Sequence, residues 1–311
     1  MPERSLILRP LPPFRLDLTV WALRRRPENR IDRWDGRTYC RTLVIAGHPV
    51  WIAVTEERAP GAPRLRVTMR APVLPAQAEE RVRQTLERLL GLRVDLRPFY
   101  RQLGGDPRLG PLIVRFKGLK PPRFPDLFET LVNAIACQQI TLTQGIHLLN
   151  RLAQAFGRRV KDHPEAPPAF PKPEDLAGRD PEALRALGFS RQKAQAILNL
   201  AEEVVSGAVD LEAWEDLEDA EAIARLRALR GIGRWSAEYA LLRGMGRLHI
   251  FPGDDVGARN HLQRWLGRRR PLDYAGVQRA LAPWRPYAGL VYFHLLLKKL
   301  EEQGFLQKTT C

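Results

Sequence analysis

The sequence predicts two parts in succession: an α+β N-terminal domain, built as an antiparallel sheet with helices over residues 1–105, and an all-α domain over 106–311. Three observations carry this. Apolar residues alternate with polar ones at period two in several short runs of the first seventy residues. From about Asp106 that alternation stops, and apolar positions recur every three or four residues. Late in the chain, Gly231-Ile232-Gly233 separates two such helical runs, which marks a tight helical hairpin.

Phe14, Leu16, Leu18 and Val20 show the period-two signature of a half-buried strand. Tyr39, Leu43 and Ile45 repeat it, Gly47-His48-Pro49 turns the chain, and Val50, Ile52 and Val54 form the next strand. Leu65, Val67 and Met69 make another, after Ala59-Pro60-Gly61-Ala62-Pro63, which is turn material. Pro75-Ala76 opens a helix through Val82, Leu86, Leu89 and Leu90, and Gly91 stops it. Trp21, Trp34 and Trp51 read as aromatics buried against the sheet, and Arg24-Arg25-Arg26 as a solvated charge run. This part shows no catalytic constellation.

In the second part, Phe124-Pro125-Asp126 leads into two helices whose core faces carry Leu127, Leu131, Ile135, Ile140, Ile146, Leu149 and Leu152. Gln138-Gln139-Ile140-Thr141 lies between them; its adjacent glutamines either cap backbone or point into a cleft. Residues 157–181 form a proline- and charge-rich connection too polar for a core. A short helix, a turn at Gly188-Phe189-Ser190 and a longer helix with Ala194, Ile197, Leu198 and Ala201 inward follow as structural elements.

Charge narrows the function. The 311 residues carry a formal +15, mostly as arginine, the side chain suited to gripping phosphate with a planar fork of donors. Residues 227–270 hold ten Lys/Arg against three acids, while Glu202 to Glu221 holds nine acids and no base. Such segregation fits a surface facing a polyanion with an acidic back. Three scattered cysteines, Cys40, Cys137 and Cys311, argue against structural zinc, an iron–sulfur cluster and disulfides. With no signal-peptide pattern and no membrane-length apolar run, the expected setting is the cytoplasm, without membrane contact.

The run from Leu226 through Leu229, Gly231, Ile232, Gly233 and Ala237 has a physical reason at each position. The leucines pack the first helix, Ile232 plugs the gap, and Ala237 lets the second helix come close. The glycines let backbone approach phosphate, and free N–H groups at the second helix start bind phosphate oxygens without reading bases. Ser236 adds a hydroxyl there, and Arg230 and Arg234 add charge. Downstream, Phe251-Pro252-Gly253 turns into Asp254-Asp255, which opens a helix. One acid serves as the N-cap. The other sits where a carboxylate repels DNA, so it needs a compensating role, and stabilising a cation formed in a reaction supplies one. Cleavage of an N-glycosidic bond in a flipped nucleotide generates such a cation at the sugar. Trp235, Tyr239 and Phe293 are candidate faces for the flipped base, each equally readable as a core aromatic. His249, His261 and His294 lack metal-ligand spacing and read as structural or surface residues.

On these residues the chain resembles the helix-hairpin-helix DNA glycosylases, and within them the AlkA-like 3-methyladenine DNA glycosylase II type. GIGRWSAEYALLRG (231–244) and FPGDD (251–255) resemble that family's hairpin and catalytic-Asp segments. AIACQQIT (134–141) resembles its cleft loop, and PWRPYAGLVYFHLL (283–296) its last helix. The resemblance implies a glycosylase domain of two helical lobes, with the hairpin at 226–244 and the catalytic segment at 251–267. It implies Asp255 as the catalytic carboxylate and Asp254 as cap, and Gly231, Gly233, Arg234 and Ser236 on the DNA backbone. Trp235, Tyr239 and Phe293 would line the base pocket. Gln139, beside Gln138, would be the wedge entering the flipped nucleotide's place, where the family's best-known member has leucine. Bifunctional relatives carry a nucleophilic lysine two residues after the second hairpin glycine. That place is Trp235 here, so no Schiff base and no lyase step are implied.

The resemblance thus implies a monofunctional base-excision-repair enzyme acting on alkylated purines in double-stranded DNA, as a nucleoid-associated monomer without a cofactor. The family's hairpin often binds a monovalent cation through carbonyls, an option open here around Gly231 and Gly233. Two other readings remain: the same fold acting on deaminated or oxidised bases, and a non-catalytic DNA-binding module, which needs no acid at 255.

Overall fold

The sheet comes first in the chain. A computed structural model describes residues 2–57 and 62–306, so residues 59–61 of the expected turn at 59–63, and Cys311, lie outside the described residues. Strands β1 (Glu3–Leu8), β2 (Arg33–Trp34), β3 (Thr38–Ile45), β4 (His48–Glu57) and β5 (Arg64–Arg70) form one antiparallel sheet of order β1-β5-β4-β3-β2. Its register sets Leu43 opposite Val50 and Val54 opposite Val67 on one buried face, which is apolar except for Arg41 opposite Ile52. Helices α1 (Leu16–Arg24) and α2 (Ala78–Leu89) belong to the same part of the chain, and their apolar residues join the sheet's core. His48 and Pro49 begin β4, so the turn falls one step earlier than expected, at Ala46-Gly47.

The alternation at Phe14–Val20 misleads: that stretch is α1, and the first strand is Glu3–Leu8. The physical reason is burial on two sides. Leu16, Val20 and Leu23 face the sheet, while Leu18 and Ala22 join the C-terminal helices, so nearly every residue of α1 is buried. Each leucine so buried contributes roughly 1.5–3 kcal/mol. Helices α3 (Arg97–Leu103) and α4 (Gly110–Arg115) carry Phe99, Leu103 and Ile113 into the same C-terminal cluster rather than onto the sheet.

The remaining helices form two packed groups. Helices α5 (Leu127–Cys137), α6 (Leu142–Phe156), α7 (Pro173–Leu176), α8 (Pro181–Ala186), α9 (Arg191–Val205), α10 (Asp219–Ala228) and α11 (Arg234–Ala240) share one core. Helices α12 (Val256–Trp265), α13 (Tyr274–Leu281) and α14 (Ala288–Glu302) share the other, with α3 and α4. The fold is therefore a five-stranded antiparallel α+β domain followed by a two-lobed helical domain. The connection at 157–181 is less solvated than its composition suggests: Val160 and Phe170 are buried, and the Thr42 hydroxyl donates to Pro167 O at 2.5 Å. Part of the acidic stretch is ion-paired. Glu215 accepts from Arg88 at 2.5 Å and Arg123 at 2.9 Å, and Asp219 takes His249. No helix among the described residues is long and apolar enough to cross a membrane.

Candidate active site

Between the two helical lobes lies a cleft of about 1170 Å³. The α10–α11 hairpin forms one lip. Leu226, Leu229 and Ile232 are buried and hold the turn shut, while Arg230, Gly231, Gly233 and Arg234 remain exposed. The two glycines differ. Gly231 has φ 81, and a Cβ there would sit 2.9 Å from the Ala196 Cβ. Gly233 has φ −92 and nothing within 4 Å of an added Cβ, so its smoothness faces outward. It is the N-cap of α11 without a side-chain cap, so the first-turn N–H groups lack intrahelical partners. Ser236 is buried beneath this surface, and its Oγ accepts from Gln138 Nε2 at 2.9 Å.

The α5–α6 turn supports the hairpin. Gln138 Nε2 also donates to Gly231 O at 2.8 Å, and Lys193 Nζ donates to Ala136 O and Gln138 O. Gln138 is thus a strut between lobe and hairpin. Gln139 is exposed on the cleft rim in a left-handed conformation, φ 55, and Ile140, expected on a core face, is exposed in the same turn and lines the cleft before the Thr141–Gln144 capping box starts α6. Lys193, on the helix expected as a structural element, fixes the turn that carries both glutamines.

The carboxylate pair divides its work differently from expectation. Asp255, not Asp254, caps α12: its Oδ1 accepts from Ala258 N–H at 2.8 Å. The helix starts at Val256, and the cap is the residue immediately before. The other oxygen, Oδ2, accepts from Trp235 Nε1 at 3.3 Å, so capping aims Asp255 across the cleft toward α11. Asp254 takes Arg234 Nε at 2.6 Å, and that guanidinium lies 4.0 Å over the Tyr274 ring. Asp255 forms no ion pair among the described residues. Glu238, buried on α11, accepts from Gly253 N–H at 3.0 Å and Tyr274 Oη at 2.6 Å. It thereby ties the turn before the pair to the hairpin helix, and burial raises its pKa.

Trp235 and Tyr239 line the cleft, with ring centroids 5.5 Å apart. Phe293 does not. It is 0% exposed within the C-terminal core, and its neighbour Tyr292 takes the place on the cleft wall. One residue along a helix rotates the side chain by roughly 100°, which separates wall from core. Burial, then Asp255, raises the Tyr292 pKa, so it is a neutral hydroxyl.

The larger surprise is the arginine run. Arg24 and Arg25 are buried, not solvated. Arg24 donates to the carbonyls of Trp34, Pro27 and Asn29. Arg25 reaches into the cleft, donating to Tyr239 Oη at 2.8 Å and Asn133 Oδ1 at 2.7 Å. Partners 214 and 108 residues away leave no local signal. Trp21 lies on α1, half-buried and stacked on Phe305, and Trp51 packs on His163. Of the three histidines, His294 is buried on Leu290 O, and His261 lines the cleft beside Lys299, where burial and that lysine push it to about 4. None of the nine acids from Glu202 to Glu221 lines the cleft. Among the described residues no cluster of His, Cys, Asp and Glu converges as for a metal ion.

Two helices joined by a glycine turn, with a capped carboxylate facing them across an aromatic cleft, place the protein in the helix-hairpin-helix class. Within it, the chain belongs to the HhH-GPD superfamily of base excision DNA repair proteins. That family's model matches residues 132–286, and the AlkA N-terminal domain model matches residues 5–126. DNA-3-methyladenine glycosylase 2 of Escherichia coli is 34% identical over 187 residues, 60% of this chain. The match spans 63% of that relative's length. The 3-methyladenine DNA-glycosylase structure from Archaeoglobus fulgidus has a TM-score of 0.81 at 26% identity, covering 94% of this chain and 97% of that one. A Schizosaccharomyces pombe 3-methyladenine DNA glycosylase in complex with abasic DNA has a TM-score of 0.56 at 26% identity, covering 68% and 97%.

Proposed function

We propose that this protein is a monofunctional DNA glycosylase that flips a damaged purine of the 3-methyladenine type from duplex DNA and hydrolyses its N-glycosidic bond. One observation carries the reading: Asp255 faces the aromatic cleft with one oxygen fixed by its helix and, among the described residues, no cation paired to it, while its neighbour is neutralised by Arg234. A carboxylate so placed lowers the free energy of the positive charge that develops at C1′ as the bond breaks. The bond's electron pair leaves with the base, water adds to C1′, and the proton released passes to Asp255 or solvent. The product is an abasic site.

The outward N–H groups of the Gly233–Ser236 turn bind backbone phosphate, with Arg230 and Arg234 adding charge. The flipped base lies against Trp235, Tyr239 and Tyr292. Gln139, exposed on the rim, enters the vacated place in the duplex. Trp235 replaces the amine a lyase would need, so the reaction stops at the abasic site. The carbonyls of Gly231 and Gly233 each accept one hydrogen bond and keep a second lone pair, so the hairpin fits a monovalent cation, which would add positive charge toward phosphate. The working form is a cytoplasmic, nucleoid-associated monomer, since one chain contains every group of the proposed site.

The test is incubation with methylated duplex DNA, following free 3-methyladenine. Asp255→Asn keeps a capping side chain and is expected to lower base release by about a hundredfold or more with the melting temperature held. Substantial release by Asp255→Asn sinks the assigned chemistry. A borohydride-trapped complex contradicts the monofunctional reading. A wild type that binds DNA and releases nothing reduces the protein to a binding module.

A further inference from the structure

The cleft wall that faces the hairpin lobe carries a group of cations with no part in the reaction as proposed. Arg26 follows α1 of the accessory domain, His261 and Arg264 lie on α12, and Lys299 lies on α14. Arg26, His261 and Lys299 line the cleft with Asp255, and the charge of Arg264 acts on both His261 and Lys299. Packing holds these elements together. Trp21 of α1 stacks on Phe305 beyond α14 at 5.8 Å, and Leu262 of α12 shares a core with Leu295 and Leu300 of α14.

Converging like charges repel, and the arrangement is costly until an anion joins it. Burial, then Arg26 and Arg264, lower the Lys299 pKa against the pull of Asp255. Among the described residues Arg26, Arg264 and Lys299 have no ion-pair partner, and the Lys299 ammonium has no hydrogen-bond acceptor. The carboxylates around them are engaged elsewhere. Glu302 pairs with Lys298, and Asp255 accepts from Ala258 N–H on Oδ1 and from Trp235 Nε1 on Oδ2. Glu28 attracts Arg26 without closing an ion pair. Arg26 donates to Arg25 O at 2.9 Å and Arg264 to Asn260 O at 3.4 Å, which leaves most of each guanidinium fork unused. Burial and Lys299 push His261 down to about 4, so it is neutral at physiological pH with a ring N–H to donate. What is missing is one acceptor with negative charge and several oxygens. In a cleft that admits a DNA strand, a backbone phosphate is that acceptor.

We propose that Arg26, Arg264 and Lys299, with the His261 N–H, form a second phosphate site, which holds a lesion-strand phosphate on the side of the flipped nucleotide away from the hairpin. The inference rests on the glycosylase reading and adds a second grip on the same strand. A nucleotide leaves the stack by turning about its backbone. A hairpin that fixes the strand on one side alone leaves the nucleotide free to swing back; a grip on both sides holds C1′ over Asp255. The arriving phosphate also offsets the cations. A 3-methyladenine nucleotide, cationic before cleavage, and the charge that develops at C1′ then meet Asp255 with no repelling field behind it. Arg26 gives the accessory domain a direct contact with DNA.

The test measures binding, by fluorescence anisotropy, to a duplex holding one tetrahydrofuran abasic analogue, with single phosphates replaced in turn by neutral methylphosphonates. The wild type is expected to lose about tenfold or more in affinity at a lesion-strand position on each side of the analogue, the scale of a charge-assisted hydrogen bond. In Lys299→Met, and separately in Arg264→Gln, the loss at one of those positions should shrink while the loss at the other is unchanged. With Arg26→Gln, Arg264→Gln and Lys299→Met combined, the slope of log affinity against log salt should become shallower by about 0.9, the share of one phosphate. Arg264 is exposed, so Arg264→Gln decides the question if Lys299→Met fails to fold. Variants that weaken every duplex by a common factor would assign the cluster to general attraction and overturn the inference, as would variants that change nothing. A coupled position on the intact strand would overturn it as well. Release of 3-methyladenine from methylated DNA, followed alongside, separates the two readings. Coupling without release would support the second site and sink only the glycosylase reading, and release without coupling would do the reverse.

Discussion

Asp254 and Asp255 show how little two adjacent identical residues need share. Asp255 is held by a helix and an indole, Asp254 by an exposed guanidinium at 2.6 Å. The Arg234–Asp254 pair is roughly half solvated, so its loss should change stability by less than about 1 kcal/mol. Its effect on DNA should be larger. Asp254→Asn removes a negative charge beside the phosphate-facing turn and frees Arg234 for phosphate. Binding to undamaged duplex, followed by fluorescence anisotropy, should tighten several-fold at low salt and converge with the wild type as salt rises. Excision should persist; if Asp254→Asn abolishes it while Asp255→Asn does not, the assignment of the pair is reversed. At this scale the sequence was informative about chemistry and poor about partners. The acids, Trp235, Tyr239 and the hairpin were legible because each residue type carries its own reason. Arg25 and Tyr292 were not. The first meets Tyr239 only through the fold, and the second differs from Phe293 by one step around a helix.

The hairpin is an element whose two glycines make separable predictions. At Gly231 the left-handed backbone and the Ala196 contact at 2.9 Å both resist a side chain. Gly231→Ala should cost about 1–3 kcal/mol and lower the melting temperature. At Gly233 the backbone is extended and the space open. Gly233→Ala should leave stability within about 1 kcal/mol, while the added methyl stands between the α11 N–H groups and phosphate and weakens DNA binding. Calorimetry and anisotropy on both variants read the two effects apart. Equal melting losses would refute the division. Elements with one buried face, such as β3, β4, β5 and α2, were legible from period alone. Helix α1 was not, because it is wedged between sheet and helical core and buries nearly its whole circumference. Its alternating leucines carry no information about which period applies.

Across the whole molecule, the accessory domain is joined to the helical domain by charge as well as by apolar packing. Arg41 on β3 is 1% exposed and donates to Asp32 at 2.8 Å and to Glu129 of α5 at 2.5 Å, while the Tyr39 hydroxyl also donates to Asp32. Two buried carboxylates share one guanidinium here. Removing that guanidinium with Arg41→Met should cost about 3–5 kcal/mol. The shortage of positive charge also sets a pH dependence. Burial pushes Glu129 from 4.5 up to about 7, against the pull of Arg41. Its folded-state pKa is therefore above its unfolded one, and the folded chain binds the proton more tightly. Stability from this group is fully present below about pH 4.5 and is lost as pH rises through 7. The wild type should lose on the order of 2–3 kcal/mol between pH 5 and 8 relative to Glu129→Gln, which carries no titrating group. Denaturant unfolding of both proteins across that range measures the difference directly. Parallel profiles would remove Glu129 as the titrating group. A profile falling in the wild type alone would identify Glu129, at the junction between the two domains, as the group whose ionisation destabilises the fold as pH rises.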